Sequence, residues 1–347
     1  MKAMVYTVYG PPAVLQLKDV EKPIPGDNGV LIQVHAASAN AGDWHLLRGD
    51  PFMIRLTAGL RAPKHQILGA DVAGRIVAVG RNVTQFQPGD EVFGDLSGSG
   101  YGAFAEYVVA PAQAVALKPA RMTFEHAAAV PSAALTALHG LRHEAQIQPG
   151  QKVLVNGASG AVGTFAVQIA RALGAEVTAV CSTRNLDMAR SIGADHVVDY
   201  TQEDYTRQGL RYDVILDAAA ERSLADNQRA LAPRGVYVLV GGSQFLNVMV
   251  MGPLRSRKGG QRFRTFVKRP TQQNLTFVKE LLEAGSVVPV IDRCYPLGDV
   301  PEALRYLERG HARGKVIITV EQPTPKQALN LTTMRSVGSV AQATQAQ

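Results

Sequence analysis

Cysteine is nearly absent from this sequence of 347 residues, which contains only Cys181 and Cys294. Two cysteines so far apart cannot build a disulfide framework or a cysteine-rich zinc lobe, and we expect both to be packing residues. No apolar run approaches the roughly 18 to 20 residues that span a bilayer, and no N-terminal segment has the pattern of a cleavable signal. These absences predict a soluble, cytoplasmic, globular protein.

Acidic residues are missing from one stretch, residues 255–269, in which the basic residues equal the formal net charge of +7. Such a run is most often a solvated face of a protein. It could also attract an anionic cofactor or substrate, or contact a membrane surface or RNA. The sequence leaves these alternatives open.

Hydrophobic residues make up 46% of the chain, enough for two cores. Residues 1–122 alternate short β-rich runs with Gly/Pro turns and lack a long helical pattern, which predicts a mostly antiparallel β domain. From Thr123, placed to cap a helix, strands and helices alternate, which predicts an α/β domain with a doubly wound parallel sheet over residues 123–270. Residues 271–320 are predicted to return to the first domain, and residues 321–347 to be disordered.

Apolar runs predict five strands in the second domain, at residues 153–156, 176–180, 196–200, 213–218 and 235–242. Glycines at 157, 160 and 163 follow the first run, where a helix is expected to begin. A plain turn or close helix packing would also use such glycines. The strand before them and the helix after them favour a cradle for a dinucleotide pyrophosphate, made of Gly157, Ser159, Gly160, Ala161, Val162 and Gly163.

The residues after the second run indicate which dinucleotide binds. NAD-binding folds carry an acid there for the ribose, whereas this chain has Ser182, Thr183 and Arg184. Two hydroxyls and a guanidinium favour the 2′-phosphate of NADPH. Tyr200 either lies beside the adenine or a phosphate, or is a core or rim residue. After the fifth run, Gly241 and Gly242 are predicted to let the backbone pass close to the nicotinamide.

With these features the chain resembles the medium-chain dehydrogenase/reductase superfamily, and within it the zinc-independent quinone oxidoreductases, close to the reticulon-interacting and chloroplast-envelope homologues. The motifs that carry the resemblance are SANAGDWHLLRG (38–49), LGADVAG (68–74), GDEVFG (89–94), GAFAEYV (102–108), NGASGAVG (156–163) and RGHARGKVIITV (309–320). The resemblance implies a GroES-like catalytic domain followed by a Rossmann domain. It also implies that His311, Ala312 and Arg313 contact NADPH, although a tight turn before the last strand would explain the same residues.

The resemblance further implies that no metal is bound. In zinc-dependent members the ligands are cysteine, histidine and cysteine, at positions that match Asn40, Ala70 and approximately Ser132. Amide, methyl and hydroxyl groups do not replace thiolates and imidazole at zinc. Without a metal to polarise a carbonyl, hydride must go to an acceptor that is already electrophilic, such as a quinone or an α,β-unsaturated carbonyl.

Four residues are the predicted catalytic donors: Asn40, Trp44, His45 and Tyr101. Each has a plainer alternative, since Asn40 could hold a backbone turn, Trp44 could pack, His45 could touch the cofactor, and Tyr101 could lie on a loop surface. The sequence thus predicts an NADPH-dependent quinone or enone reductase, with dimers common among its relatives. The alternatives are an alkenal or enoyl double-bond reductase, and an NADPH-binding protein that contacts a membrane or RNA through residues 255–269.

Overall fold

The structure, a computed structural model, describes residues 1–242 and 244–321, without side chains at residues 257–259. Strands in these ranges form three sheets. The strands are β1 (Lys2–Val5), β2 (Gln16–Asp19), β3 (Gly29–Ala39), β4 (Asp71–Val79), β5 (Glu91–Asp95), β6 (Tyr107–Pro111), β7 (Val115–Leu117), β8 (Lys152–Asn156), β9 (Glu176–Cys181), β10 (His196–Asp199), β11 (Tyr212–Asp217), β12 (Leu231–Leu239), β13 (Arg262–Thr265), β14 (Ile291–Pro296) and β15 (Lys315–Thr319).

Helices connect and cover these strands. They are α1 (Ala41–Arg48), α2 (Arg55–Ala58), α3 (Phe124–Ala128), α4 (Pro131–Leu138), α5 (Ala161–Ala172), α6 (Leu186–Ser191), α7 (Leu224–Ala230), α8 (Phe245–Gly259), α9 (Gln272–Glu283) and α10 (Val300–Glu308). The predicted cap at Thr123 is confirmed, because its hydroxyl accepts the backbone N–H of His126 at 3.3 Å. None of the described helices has both the length and the apolar character needed to cross a membrane.

The seven-stranded sheet is mostly antiparallel and is built around β3. Its order is β14-β15-β3-β4-β5-β7, and β6 also pairs with β3. In this register Ser38 lies opposite Asp71, and Val316 lies opposite Ala39. The register therefore places Lys315, at the start of β15, beside the end of β3, although almost the whole chain separates them.

The six-stranded sheet is entirely parallel, in the order β10-β9-β8-β11-β12-β13. Chain order reverses between β8 and β11, and ligands of such sheets bind outside the carboxyl ends of the strands at that reversal. The predicted fold class, a Rossmann sheet beside a mostly antiparallel β domain, is confirmed. The numerical domain boundaries 1–122, 123–270 and 271–320 stay predictions.

One local feature differs from the sequence-based expectations. The parallel sheet has a sixth strand, β13, which the apolar runs missed because its sequence RFRT is dominated by arginine. The region without a long helical pattern contains only the short α-helices α1 and α2 among its described residues. Beyond Glu321, the predicted disordered tail lies outside the described residues.

The basic stretch 255–269 is divided between secondary structures. Its first part ends α8, and its middle part is the strand β13. Its last part contains Lys268, whose side chain is 12% exposed. Binding of an anionic partner along this stretch stays a prediction, as does the homodimer.

Candidate active site

The glycine-rich turn lies between β8 and α5, at the reversal of the parallel sheet. Gly157 has a φ of +79°, a left-handed conformation that glycine adopts without strain. A side chain on Gly163 would place its Cβ 2.1 Å from the carbonyl oxygen of Gly157. The first turn of α5 leaves backbone N–H groups without helical acceptors, which suits an anion. The turn therefore fits a dinucleotide pyrophosphate.

We expect Gly163→Ala to lower the free energy of unfolding by about 1 to 3 kcal/mol, because the added methyl group has no room beside Gly157. Urea denaturation measures this change. Gly42→Ala is the matched control, since Gly42 also lies in a helix and a Cβ there meets nothing within 4 Å. Equal stabilities of the two variants would contradict the proposed close approach.

The turn at His311–Gly314 lies directly against the glycine-rich turn. The N–H of Gly314 donates to the carbonyl oxygen of Ser159 at 2.9 Å. An Nη2 of Arg184 lies 3.5 Å from the carbonyl oxygen of His311. The structure thus brings together the two segments that the sequence analysis assigned to NADPH, together with the turn after β9.

A cavity of about 370 Å³ opens beside these segments, and we call it the cationic cavity. It is lined by Arg184, Asp292, Arg293, Tyr306, Arg309, His311 and Arg313. Its one carboxylate, Asp292, accepts the Tyr306 hydroxyl at 2.6 Å and the backbone N–H of Arg313 at 3.0 Å. Four guanidinium groups around one carboxylate make the cavity attractive to a phosphate. The sequence analysis missed Arg293, which lies within β14 with no motif around it, and Arg309, which follows α10 and begins the motif at 309–320 but was given no role.

Two other residues predicted to contact the cofactor, Ser182 and Thr183, already form hydrogen bonds within the protein, whereas Tyr200 is partly exposed. The Thr183 hydroxyl donates to the Asp199 carboxylate at 2.5 Å, and the backbone N–H of Thr201 donates to the same group at 3.0 Å. Hydrogen bonds from the hydroxyls of Thr183 and Thr201 hold the pKa of Asp199 below its usual value. Ser182 accepts the amide of Asn185 at 3.1 Å, and Tyr200 is 45% exposed.

Gly241 and Gly242 follow β12 with left-handed φ angles of +83° and +89°. A Cβ on Gly242 would lie 2.9 Å from the Cβ of Ala220, in the segment after β11. The buried Asp217 carboxylate orders that segment by accepting the N–H of Ala220 at 2.8 Å. A side chain would have room at Gly241 but not at Gly242. The role of these two glycines beside the nicotinamide stays a prediction.

A buried network, which we call the Lys315 network, joins the ends of β3, β4 and β15. The Lys315 ammonium lies 2.9 Å from an Asp71 oxygen and donates to the Asn40 amide oxygen at 2.6 Å. The same Asp71 oxygen accepts the Ser38 hydroxyl at 2.5 Å and the Asn40 amide at 3.0 Å. Both Lys315 and Asp71 have side chains with no exposure. Burial alone would raise the pKa of Asp71, but the ammonium groups of Lys315 and Lys268 outweigh it and hold the pKa low.

A second buried pair continues this network towards the six-stranded sheet. Lys268, three residues beyond β13, donates to an oxygen of Asp95 at the end of β5 and to the Ser132 hydroxyl at 2.6 Å. The backbone N–H of Ser132 donates to Asp71 at 2.7 Å. Sequence reasoning missed Lys268 and Lys315 as site residues, because their carboxylate partners are distant in the chain.

Asn40, predicted to be a donor, is held inside the Lys315 network. Its two amide N–H groups face the Ser38 carbonyl oxygen, at 3.2 Å, and Asp71. In this arrangement it holds Lys315 and Asp71 in place. Its predicted role as a hydrogen-bond donor to substrate is not tested.

Asp43, on α1, is buried behind Asn40. Its carboxylate accepts the backbone N–H of Asn40 at 2.8 Å and that of Gly69 at 3.0 Å. Burial raises the pKa of Asp43 to about 7, although both N–H groups act in the opposite direction. The carboxylate thus fixes α1 against the loop before β4.

We expect stability to fall as the pH rises from about 4 to about 7 because of Asp43. In the unfolded chain this carboxyl loses its proton near pH 4, but in the folded chain only near pH 7, so folding takes up a proton between these values. Urea unfolding of the protein and of Asp43→Asn at pH 5 and pH 7.5 measures the effect. The free energy of unfolding, relative to the variant, is expected to be about 2 to 3 kcal/mol lower at the higher pH. A difference independent of pH would contradict this assignment.

The three remaining predicted donors lie around α1 and the loop after β5. The rings of Trp44 and His45 stack with centroids 3.7 Å apart, and Trp44 also packs against buried apolar residues. His45 Nδ1 lies 2.7 Å from the carbonyl oxygen of Asp50. Because a carbonyl only accepts, Nδ1 carries the hydrogen of this contact.

Tyr101 lines a second cavity, of about 230 Å³, which we call the tyrosine cavity. The other lining residues are Tyr6, Leu46, Thr57, Ala58, His65, Leu68 and Ser97. Tyr101 has a φ of +65°, between two glycines that are also left-handed, so the chain holds a strained conformation here. Burial raises the pKa of Tyr101, so its hydroxyl keeps its hydrogen at neutral pH.

The residues at the positions of the zinc ligands do not fit a zinc ion. The ammonium of Lys315 faces the Asn40 oxygen, the ammonium of Lys268 faces the Ser132 hydroxyl, and Ala70 offers no donor atom. Cations at this spacing repel a divalent metal. Among the described residues no cluster of three or more His, Cys, Asp and Glu side chains could hold a metal.

The parallel sheet, its glycine-rich turn and the antiparallel sheet beside it define a two-domain dehydrogenase or reductase. Residues 26–120 match the alcohol dehydrogenase GroES-like domain family, and residues 192–318 match the zinc-binding dehydrogenase family. The chain belongs to the medium-chain dehydrogenase/reductase superfamily, in its quinone oxidoreductase group.

Individual relatives agree with this assignment. The chain is 34% identical to mitochondrial NAD(P)H oxidoreductase RTN4IP1 of Mus musculus, covering 92% of this chain and 89% of that protein. It is 35% identical to 2-methylene-furan-3-one reductase of Solanum lycopersicum, covering 92% and 79%. The solved structure of the quinone oxidoreductase from Coxiella burnetii has a TM-score of 0.83 and 29% identity, covering 92% of this chain and 99% of that one. The first of these relatives is mitochondrial, and a cytoplasmic location for this chain stays a prediction.

Proposed function

We propose that this protein is a zinc-independent, NADPH-dependent oxidoreductase that reduces a quinone or an α,β-unsaturated carbonyl. The observation that carries the proposal is the cationic cavity beside the glycine-rich turn, because it offers several guanidinium groups where the 2′-phosphate of NADPH would lie. The names of the relatives, an NAD(P)H oxidoreductase, a furanone reductase and a quinone oxidoreductase, support the same reaction class.

When bound, the reduced nicotinamide supplies a hydride. The residues of this chain would bind and orient the reactants: residues 157–163 would hold the pyrophosphate, Arg184 and its neighbours would hold the 2′-phosphate, and residues 241–242 would leave room for the nicotinamide. The tyrosine cavity receives the acceptor, with the Tyr101 hydroxyl as a hydrogen-bond donor. Trp44 and His45 lie on α1. The proton that completes reduction comes from water or from such a donor.

The test measures NADPH and NADH oxidation against quinones, enones and aldehydes, with products identified by mass spectrometry. We expect turnover with NADPH and a quinone or enone, retained after extensive chelation, and none with simple aldehydes. Reduction of the C=C bond alone would identify a double-bond reductase, which the name of the tomato relative favours. Absence of turnover, combined with tight, salt-sensitive binding to RNA or anionic vesicles, would contradict the proposal in favour of a binding protein.

A further inference from the structure

Lys268 is a buried lysine at the edge of the parallel sheet where ligands of this fold bind. It follows β13 by three residues and therefore lies at the carboxyl end of that strand, as Gly241 does for the neighbouring β12. Ligands of doubly wound sheets bind at this edge. The proposed function does not yet give this lysine a role.

The lysine lies between the two sheets. Its partner Asp95 belongs to β5 of the antiparallel sheet, and its second partner, Ser132, lies on α4. Asp95 also accepts the backbone N–H of Ser97 at 2.9 Å, and Ser97 lines the tyrosine cavity. One carboxylate therefore connects the Lys268 ammonium to the wall of the cavity proposed for the acceptor.

The Lys268 ammonium has one N–H donor that could bind a ligand. An ammonium group has three N–H donors, and two of them face Asp95 and Ser132. The third has no acceptor among the residues that the structure describes. The side chain as a whole is 12% exposed, so most of the lysine is shielded from water.

We propose that Lys268 is a catalytic residue whose ammonium binds the carbonyl oxygen of the acceptor and stabilises the negative charge that develops on it. This inference rests on the proposed function. As hydride adds to the acceptor, the displaced electron pair collects on the carbonyl oxygen, and a proton from water completes the reduction. Lys268 donates a hydrogen bond throughout and keeps its own proton. A fixed cation in a site of low dielectric is effective for this purpose.

Three variants separate this role from a purely structural one. Lys268→Met removes the ammonium and keeps most of the apolar stem. Asp95→Asn removes the ionic contact between the sheets and keeps the ammonium. Lys279→Met is the matched control, because Lys279 lies on α9 and pairs with Glu283 on the same helix at 2.6 Å.

The first measurement needs no turnover. Binding of 4-nitrophenolate, an anionic mimic of the reduced acceptor, is titrated against the protein saturated with NADP⁺, with nitrobenzene as the neutral probe. We expect Lys268→Met to weaken phenolate binding at least tenfold, Asp95→Asn to weaken it by less because the ammonium remains, and Lys279→Met to retain it. Wild-type protein that binds phenolate no better than nitrobenzene would overturn the proposal. Equal losses in Lys268→Met and Asp95→Asn would also overturn it, because they indicate a contact that only holds the sheets together.

The second measurement is steady-state turnover with a quinone and an enone. We expect Lys268→Met to lower kcat about a hundredfold, with NADPH affinity unchanged within twofold. Normal turnover in this variant would reject the role of Lys268 and leave the proposed function intact. If instead the wild type reduces neither acceptor but binds phenolate through Lys268, the proposed function fails and the anion site remains.

Discussion

Replacing Lys315 with methionine is expected to lower the free energy of unfolding by about 3 to 5 kcal/mol. Lys315 and Asp71 both have fully buried side chains, and the variant leaves the Asp71 carboxylate without the nearest cation. Leaving a buried charge unpaired lowers the free energy of unfolding by more than the intact pair raises it, because water does not solvate the buried charge. The hydroxyl of Ser38 and the amide of Asn40 would remain as hydrogen-bond donors. They solvate the carboxylate only in part.

Urea denaturation at pH 7 measures the loss, with Lys279→Met as a control that is expected to cost less than about 1 kcal/mol. The double variant Lys315→Met, Asp71→Asn removes both charges together. It is expected to recover part of the stability, because the amide needs no counter-ion. If the double variant is destabilised by the sum of the two single changes, the two residues do not interact in the way that the structure indicates.

The parallel sheet could be predicted because the sequence patterns that specify its strands and turns are local. The apolar runs of β8 to β12 and the glycines after β8 each fall within a few residues of one another, and strand-to-helix turns have strong sequence patterns. The strand β13 has no apolar run that would predict it, since arginine alternates there with Phe263 and Thr265. Its conformation depends on pairing with β12. Tertiary pairing overrides local propensity in such a strand.

The candidate site could be predicted only where its residues belong to local sequence motifs. Arg184, His311 and Arg313 belong to recognisable motifs, and the structure places them around one cavity. Arg293 and Lys268 have no such motif, and only the register of the sheets brings them to the site. The Lys315 network is similar, because the pairing of Val316 with Ala39 brings two distant segments together. Long-range pairings of charge cannot be found from spacing along one chain.

Arg184→Asp is expected to change the preference for NADPH over NADH by about a thousandfold. The substitution removes a charge-assisted hydrogen bond to the 2′-phosphate, worth about 1.5 to 3 kcal/mol. It also places a carboxylate beside that phosphate, which repels NADPH, and supplies an acceptor for the free ribose hydroxyls of NADH. Because Arg293, Arg309 and Arg313 still line the cavity, some affinity for NADPH should remain.

Two readouts test this expectation. Calorimetric titration with 2′,5′-ADP and with 5′-AMP measures recognition of the phosphate directly, and the ratio of kcat/KM for NADPH and NADH measures the preference in turnover. Arg190→Asp is the matched control, because Arg190 lies on α6, pairs with Asp187 at 2.9 Å and does not line the cavity. Arg293→Met should weaken binding of 2′,5′-ADP less than Arg184→Asp does, since it removes one of several guanidinium groups without adding repulsion. Unchanged binding in both cavity variants would show that the phosphate does not bind in the cationic cavity, and the choice of NADPH would lose its physical basis.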